Sequence, residues 1–228
     1  MVKTDIRDQP AYTLAEAARY LKVAPATLRA WFLGRRYPKG DGTAHSNPLI
    51  RPARNPPPTL SFWNLIEAHV LRSLRTDHEV KMDSLRRAIA YAERQLRIGR
   101  LLLSQELRTD AGTLLLERYG ELIDLSASGQ IAMRHTFKEH LDRVEWDEWR
   151  FPVRLYPFTA SNAAKVEDRR VAIAANIAFG RPVWAQTGVA TATIANRIDY
   201  GETVKDVAQD YGLSEEDVES AVLYERAA

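Results

Sequence analysis

The stretch "TLAEAARYLKVAPATLRAWF", Thr13 to Phe32, decides how the rest of this chain is read. Thr13 is a good helix N-cap, and Glu16 stands at the third helical position, where a carboxylate complements both cap and helix dipole. Leu14, Ala17, Ala18 and Leu21 follow i, i+3, i+4, i+7 spacing, an apolar stripe on one helical face. After the short break at Lys22-Val23, Pro25 takes the first position of a second helix, whose buried face is Leu28, Trp31 and Phe32. Two short helices joined in this way predict a helix-turn-helix. The pattern returns without a gap, at an offset of 190, as "TVKDVAQDYGLSEEDVESAV", Thr203 to Val222. There Val204, Val207, Ala208 and Tyr211 make the stripe, and Asp206 stands where Glu16 stood. Gly212 suits a left-handed helix end, and Ser214 caps a second helix carrying Val218, Ala221 and Val222.

The two copies differ in charge. From Ala11 to Leu60 the cations Arg19, Lys22, Arg29, Arg35, Arg36, Lys39, Arg51 and Arg54 face only Glu16 and Asp41, a net 8 − 2 = +6. From Asp199 to Arg226 two cations face nine acids, a net 2 − 9 = −7. The whole chain, at +2, hides this asymmetry, which predicts a polyanion at one end and a different partner at the other. The 228 residues, 45% hydrophobic and 27% charged, suit one large or two small globular domains. No apolar run approaches the ~18 residues of a membrane span, and "MVKTDIRDQP" does not read as a signal peptide, so no membrane partner is expected. With no cysteine there is no disulfide or thiolate metal site, and a reducing bacterial cytoplasm is the expected location.

In a helix-turn-helix the second helix enters the major groove with its N-terminal residues on base edges. Here these are Ala26, Thr27, Arg29 and Ala30; Thr27 can bond a base or phosphate, and Arg29 can fork onto guanine. The following "LGRRYPKGDGTAHSNPLIRPARNPPPTLSF" reads as a wing or arm. In it Arg35, Arg36, Lys39, Arg51 and Arg54 are placed to meet phosphates or the minor groove. On the acidic copy, Glu215, Glu216, Asp217 and Glu219 oppose phosphate contact, at a cost on the order of 1 kcal/mol per close pair even in water. That helix is read as a protein-facing surface. Downstream of the arm, Ser61 caps a helix with the face Phe62, Leu65, Ile66, His69 and Val70, and another follows with Leu85, Ile89, Ala92 and Leu96.

The order "YTLAEAARYLKVAPATLRAWF", wing, "LSFWNLIEAHVLRSLR", "MDSLRRAIAYAERQL" resembles the DNA-binding domain of MerR-type regulators across residues 11 to 98. The wing here is longer and richer in proline, and no long dimerisation helix with sensor cysteines follows, so ligand or metal sensing is not implied. In the middle, "RLLLS", "TLLLER" and "ELIDLS" are short apolar runs separated by glycine-containing breaks and are expected to form a small β-sheet. A helix around His135 to Val144 and a strand at "PVRLYPF" are expected next, with Trp146, Trp149, Phe151, Tyr156 and Phe158 in the core and "TASNAAKVEDRR" as a linker. At the C-terminal end, Gly180, Pro182, Val183, Thr187, Gly188, Gly201 to Tyr211 and Leu213 to Val218 match the recurring pattern of the domain-of-unknown-function 433 family. Head and tail together resemble VapB-like antitoxins of type II toxin–antitoxin pairs.

The expected fold is mainly α with a small β-sheet. Residues 1–98 are read as a MerR-like winged helix-turn-helix, 99–160 as a central α+β segment and 161–228 as a small helix-turn-helix-like domain. No catalytic residue, metal site or cofactor is expected. No glycine-rich segment ends in Gly-Lys-Ser/Thr, and His45, His69, His78, His135 and His140 lack metal-site spacing. Asp206 and Asp217 fall at capping positions rather than in a nuclease cluster with Asp210. The resemblance implies a dimeric DNA-binding antitoxin that represses its own operon and neutralises a PIN-like ribonuclease toxin. The alternative is a MerR-like regulator whose tail only dimerises.

Overall fold

Capping chemistry starts the helices where the sequence places it. In a computed structural model, which describes residues 5–39, 42–74, 82–123, 126–158 and 169–227 without the side chains of Lys39, Ala127 and Ser128, three reciprocal capping boxes close. They join Thr13 to Glu16, Ser61 to Asn64 and Ser214 to Asp217. His78 and the segment 159–168, which begins the expected linker, lie outside the described residues.

Among the described residues the chain runs β1 (Tyr12–Thr13), α1 (Leu14–Leu21), α2 (Pro25–Leu33), β2 (Arg35–Lys39), β3 (Gly42–Ser46) and β4 (Thr59–Leu60). It continues with α3 (Phe62–Ser73), α4 (Met82–Leu96), α5 (Asp110–Ile123), α6 (Ala127–Asp142), β5 (Val144–Trp146) and β6 (Pro152–Leu155). The tail comprises β7 (Val171–Ala172), β8 (Val183–Trp184), α7 (Thr191–Asp199), α8 (Val204–Tyr211) and α9 (Glu215–Arg226). The strands pair only as antiparallel couples, β1 with β4, β2 with β3, β5 with β6 and β7 with β8. The fold is therefore mainly α with small sheets. None of the described helices is long and apolar enough to cross a membrane.

The middle differs from the sequence expectation. "RLLLS" is a 3-10 turn over Leu101–Leu103, and "TLLLER" with the start of "ELIDLS" forms α5 instead of strands. Gly112 and Gly120, expected to break the chain into strands, both sit inside α5 and are buried. A Cβ on Gly112 would lie 2.0 Å from the Leu107 carbonyl oxygen, and one on Gly120 would lie 3.3 Å from Gln130. Here glycine marks close approach of a neighbouring segment, which a sequence pattern does not separate from a turn. The buried residues Ala111, Leu115, Leu116 and Tyr119 then give α5 its helical stripe, against α4. The expected strand at Pro152 is present, and the helix expected around His135 begins earlier, at Ala127. Of the five aromatics expected in the core, Tyr156 and Phe158 are buried and Trp146 packs against it, whereas Trp149 (73%) and Phe151 (43%) are exposed. Those two belong to the connection between β5 and β6, where Phe151 stacks on the outer Trp63 of α3, ring centroids 5.5 Å apart, instead of entering the core.

One buried cluster runs from Tyr12 through Leu28, Trp31, Phe62, Leu85, Leu115 and Phe137 to Ile173. A second, in the tail, joins Trp184, Ile194, Val207, Val218 and Tyr224. A seam closes between tail and head along α1. The Tyr224 hydroxyl donates to the Tyr20 carbonyl at 3.2 Å, and Lys22 Nζ donates to the Tyr224 carbonyl at 2.5 Å. Arg19 pairs with Glu225 at 3.0 Å, and at the other end of α1 the Tyr12 hydroxyl donates to the Gly180 carbonyl at 2.9 Å.

Inside the helix layer His69 and His140 lie with ring centroids 4.9 Å apart, beside Phe158. His69 Nε2 donates to the His140 carbonyl, and His140 Nδ1 donates to the Thr136 carbonyl. Burial, with the charges of Arg72 and Arg143 nearby, holds His69 well below its ordinary value and His140 down to about 4. Both rings are neutral at pH 7. Below 6.5, the ordinary histidine value, an unfolded chain takes up protons that the buried rings refuse. Stability is therefore fully present above pH 6.5 and falls toward pH 4, by on the order of 3 kcal/mol from His140. Urea midpoints measured from pH 7 to pH 4.5 should drop, and His140→Gln should flatten that drop. Tyr224→Phe, which keeps the ring but removes the bond to Tyr20, should lower unfolding free energy by about 1–2 kcal/mol in the same assay.

Candidate nucleic-acid interface

The candidate recognition helix, α2, is built from its own sequence. Lys22 takes the left-handed conformation at the end of α1, turning the chain, and Pro25 starts α2. Leu28, Trp31 and Phe32 are buried and fix the rotation of α2, which leaves Ala26 and Arg29 exposed and Thr27 and Ala30 half-buried on the outer side. Ala24 offers no side-chain cap, and no acid stands in the first turn, so the N-terminal amides and positive dipole end of α2 are open to an anion.

The wing is a hairpin of β2 and β3, paired from Arg35 with Ser46 to Lys39 with Gly42. Gly34 makes it possible: its φ is +75°, and a Cβ there would lie 1.9 Å from the Ser46 carbonyl oxygen. Arg35 and Arg36 are exposed on this hairpin; Lys39 ends its first strand, and its side chain lies outside the described residues. Beyond it the arm is stapled down. The amides of Leu49 and Ile50 donate to the Trp31 carbonyl, and Asn64 accepts from the Ala53 amide while donating to the Arg51 carbonyl. Asn64 also donates to Glu67, whose buried carboxyl is pushed up by desolvation and held by Arg100. Arg51 and Arg54 are thereby exposed on a fixed backbone, with Arg54 bonded to Thr59.

Charge pairing separates this surface from most of the rest, although Arg94, Arg97, Arg169 and Arg181 also form no ion pair among the described residues. Arg7, Arg19, Arg86, Arg87, Arg100, Arg108, Arg118, Arg134, Arg150, Arg154, Arg170, Arg197 and Arg226 each form an ion pair with an acid. Among the described residues, Arg29, Arg35, Arg36, Arg51 and Arg54 form none. A cationic surface whose charge is left uncompensated within the chain is what a polyphosphate partner requires.

The acidic copy is the reverse. Ser214 and Asp217 close the N-terminus of α9, and Glu215 and Glu216 crowd its first turn. Glu216 pairs with Arg170 at 2.9 Å, so of the four candidate acids Glu215 and Glu219 stay exposed without an ion pair among the described residues. Asp210 and Glu202 share Arg197, and Asp199 pairs with Arg226. Asp206 accepts from Thr203 at the start of α8, and with Asp217 in its own cap the three aspartates do not converge. Among the described residues, no three His, Asp or Glu side chains gather as metal ligands would. What sequence reading missed is the seam: Tyr12, Tyr20, Lys22, Gly180 and Tyr224 meet across 160 residues or more, with no local pattern to announce it.

Two family models match the chain. "Putative DNA-binding HTH domain" covers residues 10–89, and "Protein of unknown function (DUF433)" covers residues 171–224. A relative in Mycobacterium tuberculosis, described as "Putative antitoxin VapB45", is 30% identical over 235 aligned positions, covering 94% of this chain and 93% of that protein. The crystal structure of Rv2018 from Mycobacterium tuberculosis has the same fold, with a TM-score of 0.67 at 24% identity over 93% of this chain and 97% of that one. This chain belongs to the family of that VapB-like relative, with an N-terminal helix-turn-helix domain joined to a C-terminal domain of the 433 family.

Proposed function

We propose that this chain is a DNA-binding antitoxin, which represses its own operon and neutralises a ribonuclease of the PIN type by direct binding. The single observation carrying the DNA half is the unpaired set Arg29, Arg35, Arg36, Arg51 and Arg54 around an uncapped α2, in a chain whose other arginines mostly have acidic partners. Thr27, Arg29 and the small Ala26 and Ala30 read base edges, and the wing and arm arginines, with Lys39, hold phosphates. The antitoxin half is supported by the relative at 30% identity, which is itself described as a "Putative antitoxin". A homodimer presents two such helices to half-sites about 34 Å apart, one turn of DNA.

The head, residues 1–98, then works on DNA, and the tail, 161–228, works with the toxin, the segment 99–160 lying between them. Glu215 and Glu219 are the free acids for that contact, with Glu216 and Asp217 already engaged. An enzyme that gathers RNA needs a positive surface, which an acidic helix complements. The protein itself performs no catalysis in this reading, and it acts in the cytoplasm, on the nucleoid when the operator is bound.

Arg29→Ala should weaken binding to the duplex upstream of the gene by about 1–3 kcal/mol and relax base preference, as read by gel shift against mutated duplexes. Removing the charge at Arg35, Arg36, Arg51 or Arg54 should instead weaken all sequences alike and reduce the salt dependence by about one unit each. Co-expression with the adjacent small nuclease-like gene should restore growth and yield a co-purifying complex. Full operator binding by Arg29→Ala, or no rescue by co-expression, contradicts the corresponding half.

A further inference from the structure

Between β7 and β8 the chain makes a turn that neither the reading helix nor the acidic helix explains. Ala178, Phe179 and Gly180 have φ of 46°, 55° and 78°, three consecutive residues in the left-handed region, two of them not glycine. The turn is ordered: the Gly180 amide donates to the Ile177 carbonyl at 2.8 Å, and the Arg181 amide to the Ala178 carbonyl at 3.1 Å. This conformation holds Phe179 out, 94% exposed, and places Arg181 beside it, also exposed. Arg181 has no ion pair among the described residues, as is true of the arginines of α2, wing and arm and also of Arg94, Arg97 and Arg169.

The turn is fixed to the head and not merely to the tail. The Tyr12 hydroxyl donates to the Gly180 carbonyl, and a Cβ on Gly180 would lie 2.1 Å from that hydroxyl oxygen, so only glycine admits this approach. Tyr12 immediately precedes Thr13, the N-cap of α1, and the charge of Arg181 is felt at Glu16 in the first turn of α1. Glu16 is itself occupied with the Thr13 amide and hydroxyl. When the second helix of a helix-turn-helix lies in the major groove, the first helix crosses the sugar–phosphate backbone.

We propose that the Ala178–Arg181 turn is a second DNA-contacting element, with Arg181 on a backbone phosphate beside the start of α1 and Phe179 against the minor-groove edge of the same duplex. An exposed cation and an exposed apolar side chain, presented together on a rigid turn, are the pair that minor-groove-side contacts use. The tail thus extends the footprint of the head rather than leaving it, and the head–tail seam gains a reason: it aligns the two contact elements. This rests on the DNA-binding reading given above.

The test is fluorescence anisotropy of the full-length protein with a labelled duplex from upstream of the gene, at several salt concentrations. Arg181→Ala should lower affinity about threefold to tenfold and reduce the salt slope by about one, while Arg181→Lys keeps the slope. Phe179→Ala should lower affinity several-fold, about the effect of losing one apolar contact, with the slope unchanged. Hydroxyl-radical protection should shrink at one edge for both variants. Neither side chain is buried, so circular dichroism should match the wild type. Wild-type affinity, slope and footprint in both variants, with Arg29→Ala impaired, overturn this proposal and leave the reading helix standing. If the wild type binds no upstream duplex, the reading beneath it falls as well. Loss of toxin co-purification with unaltered DNA binding overturns it in favour of a protein-facing turn.

Discussion

The buried Tyr224 is the interaction on which the arrangement of this molecule depends. Its hydroxyl reaches the carbonyl of Tyr20, near the end of α1, while its own carbonyl receives the Lys22 ammonium. Lys22 also lies over the Tyr224 ring at 4.2 Å, and burial pulls its pKa down to about 8. A lysine in that position is costly to desolvate and is retained where it turns the chain between α1 and α2. With Arg19 and Glu225 paired next to it and Thr191 donating to Glu225, the last helix is held against the first helix of the head. The second helix-turn-helix copy is thereby docked on the first.

This docking sets where each charge faces. The C-terminal end of α9 lies on α1, and its acidic N-terminal turn lies about 14 Å away along the helix, at 1.5 Å per residue. Among the described residues the head leaves Arg29, Arg35, Arg36, Arg51 and Arg54 without ion pairs, while the tail engages Asp199, Glu202, Asp210 and Glu216 with its own arginines, so the charge asymmetry of the sequence is reshaped by pairing. Arg197 alone absorbs Glu202 and Asp210. Among the described residues this leaves five unpaired arginines on α2, the wing and the arm, and the exposed, unpaired acids Glu215 and Glu219 on α9. The same shape in two copies carries opposite chemistry because helix packing uses one face and leaves the other free to vary.

Much of the fold could be read from residue order because its signals are local. Thr13, Ser61 and Ser214 cap helices where a hydroxyl precedes an apolar period, and the stripes of α1, α3, α4 and α8 repeat within two turns. The same reasoning failed in α5, where Gly112 and Gly120 serve close packing, and for Trp149 and Phe151, whose apolar character did not put them inside. Glycine and aromatic residues have several uses, and the neighbour that selects one of them lies elsewhere in the chain.

The sequence by itself determined two helix-turn-helix units, their opposite charge and the residues on the outer face of α2. Caps, turns and 3.6-residue periods act over a few residues, so their partners are visible in the text of the chain. Only the tertiary structure decided that α9 docks on α1, which arginines stay unpaired, and that Phe179 and Arg181 stand beside the start of the first helix. Those outcomes come from contacts such as Tyr12 with Gly180, 168 residues apart, where the geometry of packed surfaces and not local propensity chooses the partner.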